Sequence, residues 1–342
     1  MVKRKSTFLS PKKMPPLNVL PTEVRLDAST LCQLDCVSCY MRKENYAAHG
    51  AGYLKYSDFV NFLDKNPYVK EIELSNSGEI FLNKDLLKII EYAYQHDVIL
   101  YADGGVNFNH VSDEILESLV KYQFRGVVVA IDGASQEIYS KYRRKGNFDA
   151  VIDNIKKLNE YKKKYNSEFP LLGWKYVIME TNDFETEIQS AITTAASLNV
   201  SIVFRKSWDG YITKNEEILK RDDYQTVINK DGSEQMPCID FFERPQINWD
   251  GRLFGCCVNC WKDFNVNVFD IGLEKALNTE IVIQSKKMLM GQGVCKDSPC
   301  YQCGLYRNMA HIHNDKLGYW IRLRRKLIPE KIRKKALKIL HK

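Results

Sequence analysis

The sequence predicts an α/β fold built on a parallel sheet. Three observations predict it: six short apolar runs rich in β-branched residues, five amphipathic helical segments between them, and a regular alternation of the two. Strand followed by helix, repeated, buries a parallel sheet through right-handed crossovers. Such a sheet is either open or partly closed into a barrel, and in both cases ligands sit at the carboxyl ends of the strands.

The strand runs are Val24–Ala28, Val69–Ser75, Val98–Ala102, Gly126–Ile131, Trp174–Met179 and Ser201–Arg205. The helical segments are Tyr56–Asp64, Lys84–Gln95, Ser112–Tyr122, Phe148–Tyr165 and Phe184–Leu198, where apolar residues recur at helical spacing. Asn83, Ser112, Asn147 and Asp183 stand where N-caps are expected, because a short polar side chain can accept from the free N–H groups of a first turn.

Composition narrows the class. The chain has 342 residues, 44% of them hydrophobic and 27% charged, which is ordinary for a globular protein of one large and one small domain. No early apolar run resembles a signal peptide and no run of ~18 apolar residues suggests a membrane span, so a cytoplasmic location is expected. Ten cysteines in such a chain point to metal or redox use in a reducing compartment rather than to disulfides.

Charge is uneven. The net charge is +7, but residues 316–342 carry eleven Lys or Arg against the single acid Glu330, leaving −3 on the rest. An acidic body disfavours nucleic-acid binding. In the tail, Trp320, Leu323, Leu327, Ile332, Ala336, Ile339 and Leu340 recur at helical spacing, with Pro329 suited to a helix start. Two short basic amphipathic helices there would either dock at the inner face of the membrane or pack on the body with a solvated face. The Lys3-Arg4-Lys5 run begins a lead-in expected to be disordered.

The chemistry concentrates in two cysteine sets. Cys32, Cys36 and Cys39 form C-x3-C-x2-C directly after the first strand run. A [4Fe–4S] cube needs one ligand per iron, so three thiolates in one loop leave one iron open for a substrate. A zinc loop is the alternative. The second set holds Cys238, Cys256, Cys257, Cys260, Cys295, Cys300 and Cys303. Of these, Cys238, Cys256, Cys300 and Cys303 are enough for a second, fully ligated cube, or for a zinc knuckle.

The first loop resembles that of the radical S-adenosylmethionine (radical SAM) superfamily, and the later strand ends extend the resemblance. Asn76-Ser-Gly-Glu79 follows the second strand, Asp103-Gly-Gly-Val-Asn107 the third, Asp132-Gly-Ala with Tyr139-x3-Arg143 the fourth, and Met179-Glu-Thr-Asn182 the fifth. The resemblance implies a partial (βα)6 barrel, a SAM-binding [4Fe–4S] cluster on Cys32, Cys36 and Cys39, and SAM itself. Glu79 would then meet the SAM ammonium, with Gly78 admitting close backbone approach. Arg143 would hold the SAM carboxylate and Asp132 the ribose hydroxyls, with Arg144 a solvated neighbour, while Asn182 would lie near the ligand. The family's usual aromatic before the third cysteine is Ser38 here, and Tyr40 stands one place beyond it.

The second set resembles the short SPASM/Twitch extension, since no cysteine follows Cys303. In cysteine layout it is similar to the 2-deoxy-scyllo-inosamine dehydrogenase type. The expected organisation is a basic lead-in over 1–20, a radical SAM barrel over 21–210, an auxiliary-cluster domain over 211–310 and a basic helical tail over 311–342. The expected activity is hydrogen abstraction from a small polar substrate, with oxidation or epimerisation of a sugar, aminocyclitol or glycan carbon. A flavodoxin- or ferredoxin-type reductant would supply electrons. Cys257 is a candidate hydrogen-atom donor or an exchange ligand for Cys256, Cys260 stays open, and Cys295 is expected to be a buried small residue. Maturation of a ribosomal peptide and a non-catalytic iron–sulfur or zinc scaffold are the alternatives.

Overall fold

The computed structural model describes residues 17, 20–41, 46–207, 213–220 and 237–307. The helical tail, and the basic lead-in apart from residues 17 and 20, therefore lie outside the described residues. The chain divides into two compact units, Met1–Thr279 and Glu280–Lys342.

In the first unit the elements run β1 (Glu23–Leu26), α1 (Tyr46–His49), α2 (Tyr56–Lys65), β2 (Glu71–Glu73), α3 (Leu86–Gln95), β3 (Ile99–Val106), α4 (Asp113–Lys121), β4 (Gly126–Ala130), α5 (Gln136–Tyr142), α6 (Phe148–Lys164), β5 (Leu171–Ile178), α7 (Glu185–Ser197) and β6 (Ser201–Lys206). Then come α8 (Glu216–Lys220), α9 (Asp240–Glu243), β7 (Gln246–Ile247), β8 (Leu253–Gly255), α10 (Val268–Ile271) and α11 (Leu273–Leu277). The sheet order is β6-β5-β4-β3-β2-β1-β7-β8, parallel except for the β7–β8 hairpin. The mixed α/β class and the six alternating strands agree with the expectation.

Registers sort the side chains. Pairing of Arg25 with Glu73, Glu73 with Tyr101 and Ala130 with Lys175 puts these residues on one face of the sheet. The opposite face carries Val24, Leu26, Ile72, Leu100, Val127, Val129, Trp174 and Tyr176, all buried. Trp174 is fully enclosed and its Nε1 donates to the Ile131 carbonyl at 2.6 Å, which satisfies its one polar atom. The first face is the charged one and leads to the strand carboxyl ends.

Two of the four expected caps form. Ser112 accepts from Ile115 N and Asn147 from Ala150 N. Asn83 instead closes a tight turn by accepting from Asp85 N, and α3 begins three residues later. Asp183 sits one residue before the actual cap Phe184 and accepts from the Thr213 hydroxyl instead. The third strand also runs four residues past its expected end at Ala102, because Gly104 and Gly105 absorb a bulge; Gly105 adopts φ +113°.

The second unit contributes α12 (Glu280–Leu289) and a 3-10 turn over Pro299–Gln302. Ser298 caps that turn by accepting from Cys300 N. Among the described residues no helix is long and apolar enough to cross a membrane.

Candidate active site at the strand carboxyl ends

The three-cysteine loop leaves β1 and is pinned by its neighbours. Asp35 N donates to Arg144 O and Val37 N to Tyr142 O, while Ser38 Oγ and the Tyr142 hydroxyl lie 2.8 Å apart. Glu79 N donates to Leu31 O at 2.8 Å, tying the loop to the end of β2. Gly78 makes this approach possible. Its φ is +60°, and a Cβ there would stand 2.6–2.8 Å from Ser29 O, Thr30 C and Leu31 O, all backbone atoms.

Two of the three sulfurs, those of Cys32 and Cys36, are met by N–H donors. Asn107 Nδ2 and Leu34 N each lie 3.4 Å from Cys32 Sγ, and Arg143 Nη1 lies 3.8 Å from Cys36 Sγ. Burial pushes the Cys32 thiol up to about 12 and the Cys36 thiol upward, the latter opposed by the Arg143 charge. A dry pocket with donors aimed at sulfur is poor for three bare thiolates but suits thiolates whose charge a metal cluster shares. All ten cysteines are free of disulfides. Among the described residues no three His, Cys, Asp or Glu side chains converge on a point as ligands of one ion would. A cube gives each thiolate its own iron, so such convergence is a zinc-type demand and not a cluster demand.

Around this loop stand the other expected residues. Glu79 is buried, and its carboxylate accepts from Asn107 N at 2.6 Å and Phe81 N at 3.4 Å. Burial raises it to about 7 despite those two bonds. No cation pairs with it among the described residues within 4.0 Å; Arg143 acts on it only at longer range. Arg143 Nε donates to Asp132 Oδ2 at 2.6 Å in a buried ion pair, and Asp132 Oδ1 accepts from Val177 N at 2.8 Å. Burial disfavours the Arg143 charge, but Asp132 first and Cys36 second hold the guanidinium ionised.

Asn182, fully buried, donates to the Asp132 and Val177 carbonyls and accepts from Met179 N. It braces the loops after β4 and β5. Tyr40 places its hydroxyl on Asn76 O at 2.9 Å while more than a third of the residue stays exposed. Glu79, Gly78, Arg143, Asp132, Asn182 and Tyr40 thus collect around the Cys32/Cys36/Cys39 loop.

Residues 28–184 match the radical SAM superfamily. The chain carries a radical SAM domain. A [4Fe–4S] cluster and SAM are the cofactors of that superfamily, and the donor set described above accommodates them. Mycofactocin maturase MftC of Mycolicibacterium smegmatis is 24% identical over 131 residues, 37% of this chain and 32% of that protein. The match thus spans about a third of the relative's length. Streptococcus suis SuiB bound to S-adenosylmethionine superposes with a TM-score of 0.60 at 14% identity, covering 84% of this chain and 71% of that one. AnSMEcpe with bound AdoMet gives 0.55 at 14%, covering 83% and 87%. BtrN in complex with AdoMet and 2-DOIA gives 0.50 at 12%, covering 84% and 94%.

The second cysteine set is divided between the units. Cys238, Cys256, Cys257 and Cys260 lie in the first, where the β7–β8 hairpin turns through Asn248-Trp-Asp-Gly251 with Gly251 at φ +86° and leads into Cys256. Cys257 Sγ donates to Asp240 Oδ2 at 3.6 Å, and burial pushes its thiol up to about 11. The Cys257 carbonyl accepts from Asn76 Nδ2 at 3.4 Å, which places this loop beside the end of β2. In the second unit Cys303 N donates to Cys300 O, and burial raises the Cys300 thiol to about 12, with Cys303 and Cys295 as further contributors.

Sequence reasoning missed the charged face of the barrel. Arg25 reaches Glu73 at 3.4 Å, Asp240 at 3.7 Å and Asp103 at 4.0 Å, and Lys175 projects from β5 onto the Gly104 carbonyl. A lysine alternating with Trp174 and Tyr176 inside an apolar run was the available signal, since period-2 alternation assigns it the other face. A cavity of about 310 Å³ between the ends of α4 and α6 holds none of these residues and lies toward the strand amino ends.

Proposed function

We propose that the chain is a radical SAM enzyme whose substrate is a peptide or a protein segment. The observation that carries the SAM chemistry is the pair of opposite charges flanking the three-thiol loop: on one side Glu79, with no cation within 4.0 Å among the described residues, and on the other Arg143. An amino-acid zwitterion needs that pattern, an acceptor for its ammonium and a fork for its carboxylate. Cys32, Cys36 and Cys39 would hold the cluster, which when bound supplies the electron for SAM cleavage and the resulting 5′-deoxyadenosyl radical. The protein's share is positioning. Asp132 and Asn182 fix Arg143 and the loop after β5, Gly78 admits the Ser29–Leu31 backbone that leads into the cysteine loop, and Tyr40 anchors the end of that loop. An auxiliary cluster would draw its thiolates from the second cysteine set, and a flavodoxin- or ferredoxin-type protein would deliver electrons.

The peptide reading draws support from SuiB bound to precursor peptide SuiA and anSMEcpe with the Cp18Cys peptide, both similar in fold, and from the similarity to a mycofactocin maturase. The sugar or aminocyclitol reading drawn from the cysteine layout keeps the likeness to BtrN as its support and is second. Anaerobically reconstituted protein should release 5′-deoxyadenosine from SAM with dithionite. Deuterated peptides and deuterated aminocyclitols then compete: label appearing in deoxyadenosine only from an aminocyclitol overturns the peptide reading, and no deoxyadenosine at all overturns both.

A further inference from the structure

On the charged face of the sheet, two cations have no carboxylate within 4.0 Å among the described residues. Lys175 of β5 and Arg205 of β6 share that face, because the register pairs Lys175 with Val203 and Val177 with Arg205. The carboxylates near them are already engaged. Asp132 serves Arg143 and Val177 N; Glu73 serves Arg25, Ser75 and Gly104 N. Lys175 donates to the Gly104 carbonyl, leaving two of the three ammonium protons free, and has no carboxylate within 4.0 Å among the described residues. Arg205 Nε is buried with no hydrogen-bond partner. The Gly104-Gly105 bulge of β3 makes room for this: a Cβ on Gly105 would stand 2.8 Å from Lys175 Cε. Burial, with Arg143 second and Arg205 also against it, lowers Lys175 to about 8, while Asp132 and Glu73 act in the other direction. Two neighbouring cations on a partly dry surface repel one another and lose hydration, so they are kept at a cost unless an anion joins them.

We propose that Lys175 and Arg205 bind a carboxylate of the substrate, an acidic side chain or the chain terminus next to the carbon that is attacked. This rests on the peptide reading and names its specificity determinant. The ammonium supplies a point charge with free donors and the guanidinium a planar fork, so a carboxylate bridging them satisfies both. A neutral amide of the same shape would leave both charges without an anion. Arg143 serves the cofactor end of the site and Lys175 with Arg205 the substrate end.

The test uses the full-length, anaerobically reconstituted protein saturated with SAM. The probes are N-acetyl-aspartate N′-methylamide and its asparagine counterpart, which differ only in the side-chain charge. Calorimetry should show the aspartate probe binding about tenfold or more tighter. That preference should vanish in Lys175→Met and in Arg205→Met and persist in Lys175→Arg, with iron content and SAM affinity unchanged in all three. Equal affinity for both probes in the wild type overturns the proposal. So does a tenfold loss of SAM affinity in the Met variants, which would give the two cations to the SAM carboxylate instead. Deoxyadenosine release without any probe is measured in parallel. Its absence defeats the enzyme reading, whereas the probe preference is judged on binding alone.

Discussion

Replacing Glu79 by Gln separates what the fold prefers from what the site needs. Glu79 is 1% exposed and titrates at about 7 instead of 4.5. At about 1.4 kcal/mol per pH unit, ionising it in the folded chain costs about 3 kcal/mol. The sign follows from linkage. A carboxyl raised in the folded state stabilises the fold fully below 4.5, and that contribution is lost as pH rises through 7. SAM-free wild type should therefore lose stability relative to Glu79→Gln between pH 4.5 and pH 8, while the two differ at pH 4.5 only by altered bonds to Asn107 N and Phe81 N. Taking roughly 2 °C per kcal/mol for a chain of this size, the difference in melting temperature should swing by about 6 °C across that range. The same variant should bind SAM at least tenfold more weakly at pH 8, since the ammonium loses its anion. Differential scanning fluorimetry at both pH values and equilibrium dialysis with labelled SAM give the two readouts. A flat stability difference would refute the buried-charge argument, and undiminished SAM binding would refute the assignment of Glu79 to the ammonium.

Cys36→Ala should lower the iron bound by about four per chain and abolish deoxyadenosine formation, checked by iron analysis and chromatography. The paired change Cys300→Ala with Cys303→Ala should remove a similar amount of iron while leaving the amino-terminal cluster spectrum intact. Asp132→Leu strands the buried Arg143 charge and should cost about 3–5 kcal/mol in denaturant unfolding, most of it recovered when Arg143→Met is added. Gly78→Ala forces a methyl against three backbone atoms at a positive φ and should cost more than 1 kcal/mol, with impaired cluster uptake after reconstitution.

Much of the scaffold was legible because its signals are local. Ser112 and Asn147 cap the helices they were expected to cap, and five helices begin and end within two residues of the periodic segments. Where tertiary partners compete, local signals fail. Asp183 is drawn to Thr213 and not to the helix beside it, and β3 continues through two glycines because Lys175 and Ser75 close over them. The cysteine loop and the acidic, glycine and arginine positions around it could be named from spacing, since each follows a strand end. Their partners could not. The Asp132–Arg143 pair, the Asn107 donor to Cys32 and the lone cations on β5 and β6 join residues 11 to 75 positions apart or leave them unjoined, and one-dimensional pattern holds no record of either.

β7 is only two residues long, yet it is the second neighbour of β1, the strand that launches the cysteine loop. During synthesis that strand keeps a bare edge until residue 247 has emerged, more than two hundred positions after β1 itself. A shortened chain ending near residue 210 would leave main-chain donors and acceptors of β1 facing solvent, open to pairing with another molecule. The strand that launches the proposed cluster loop is thus paired on its second edge by a part of the chain made long after it.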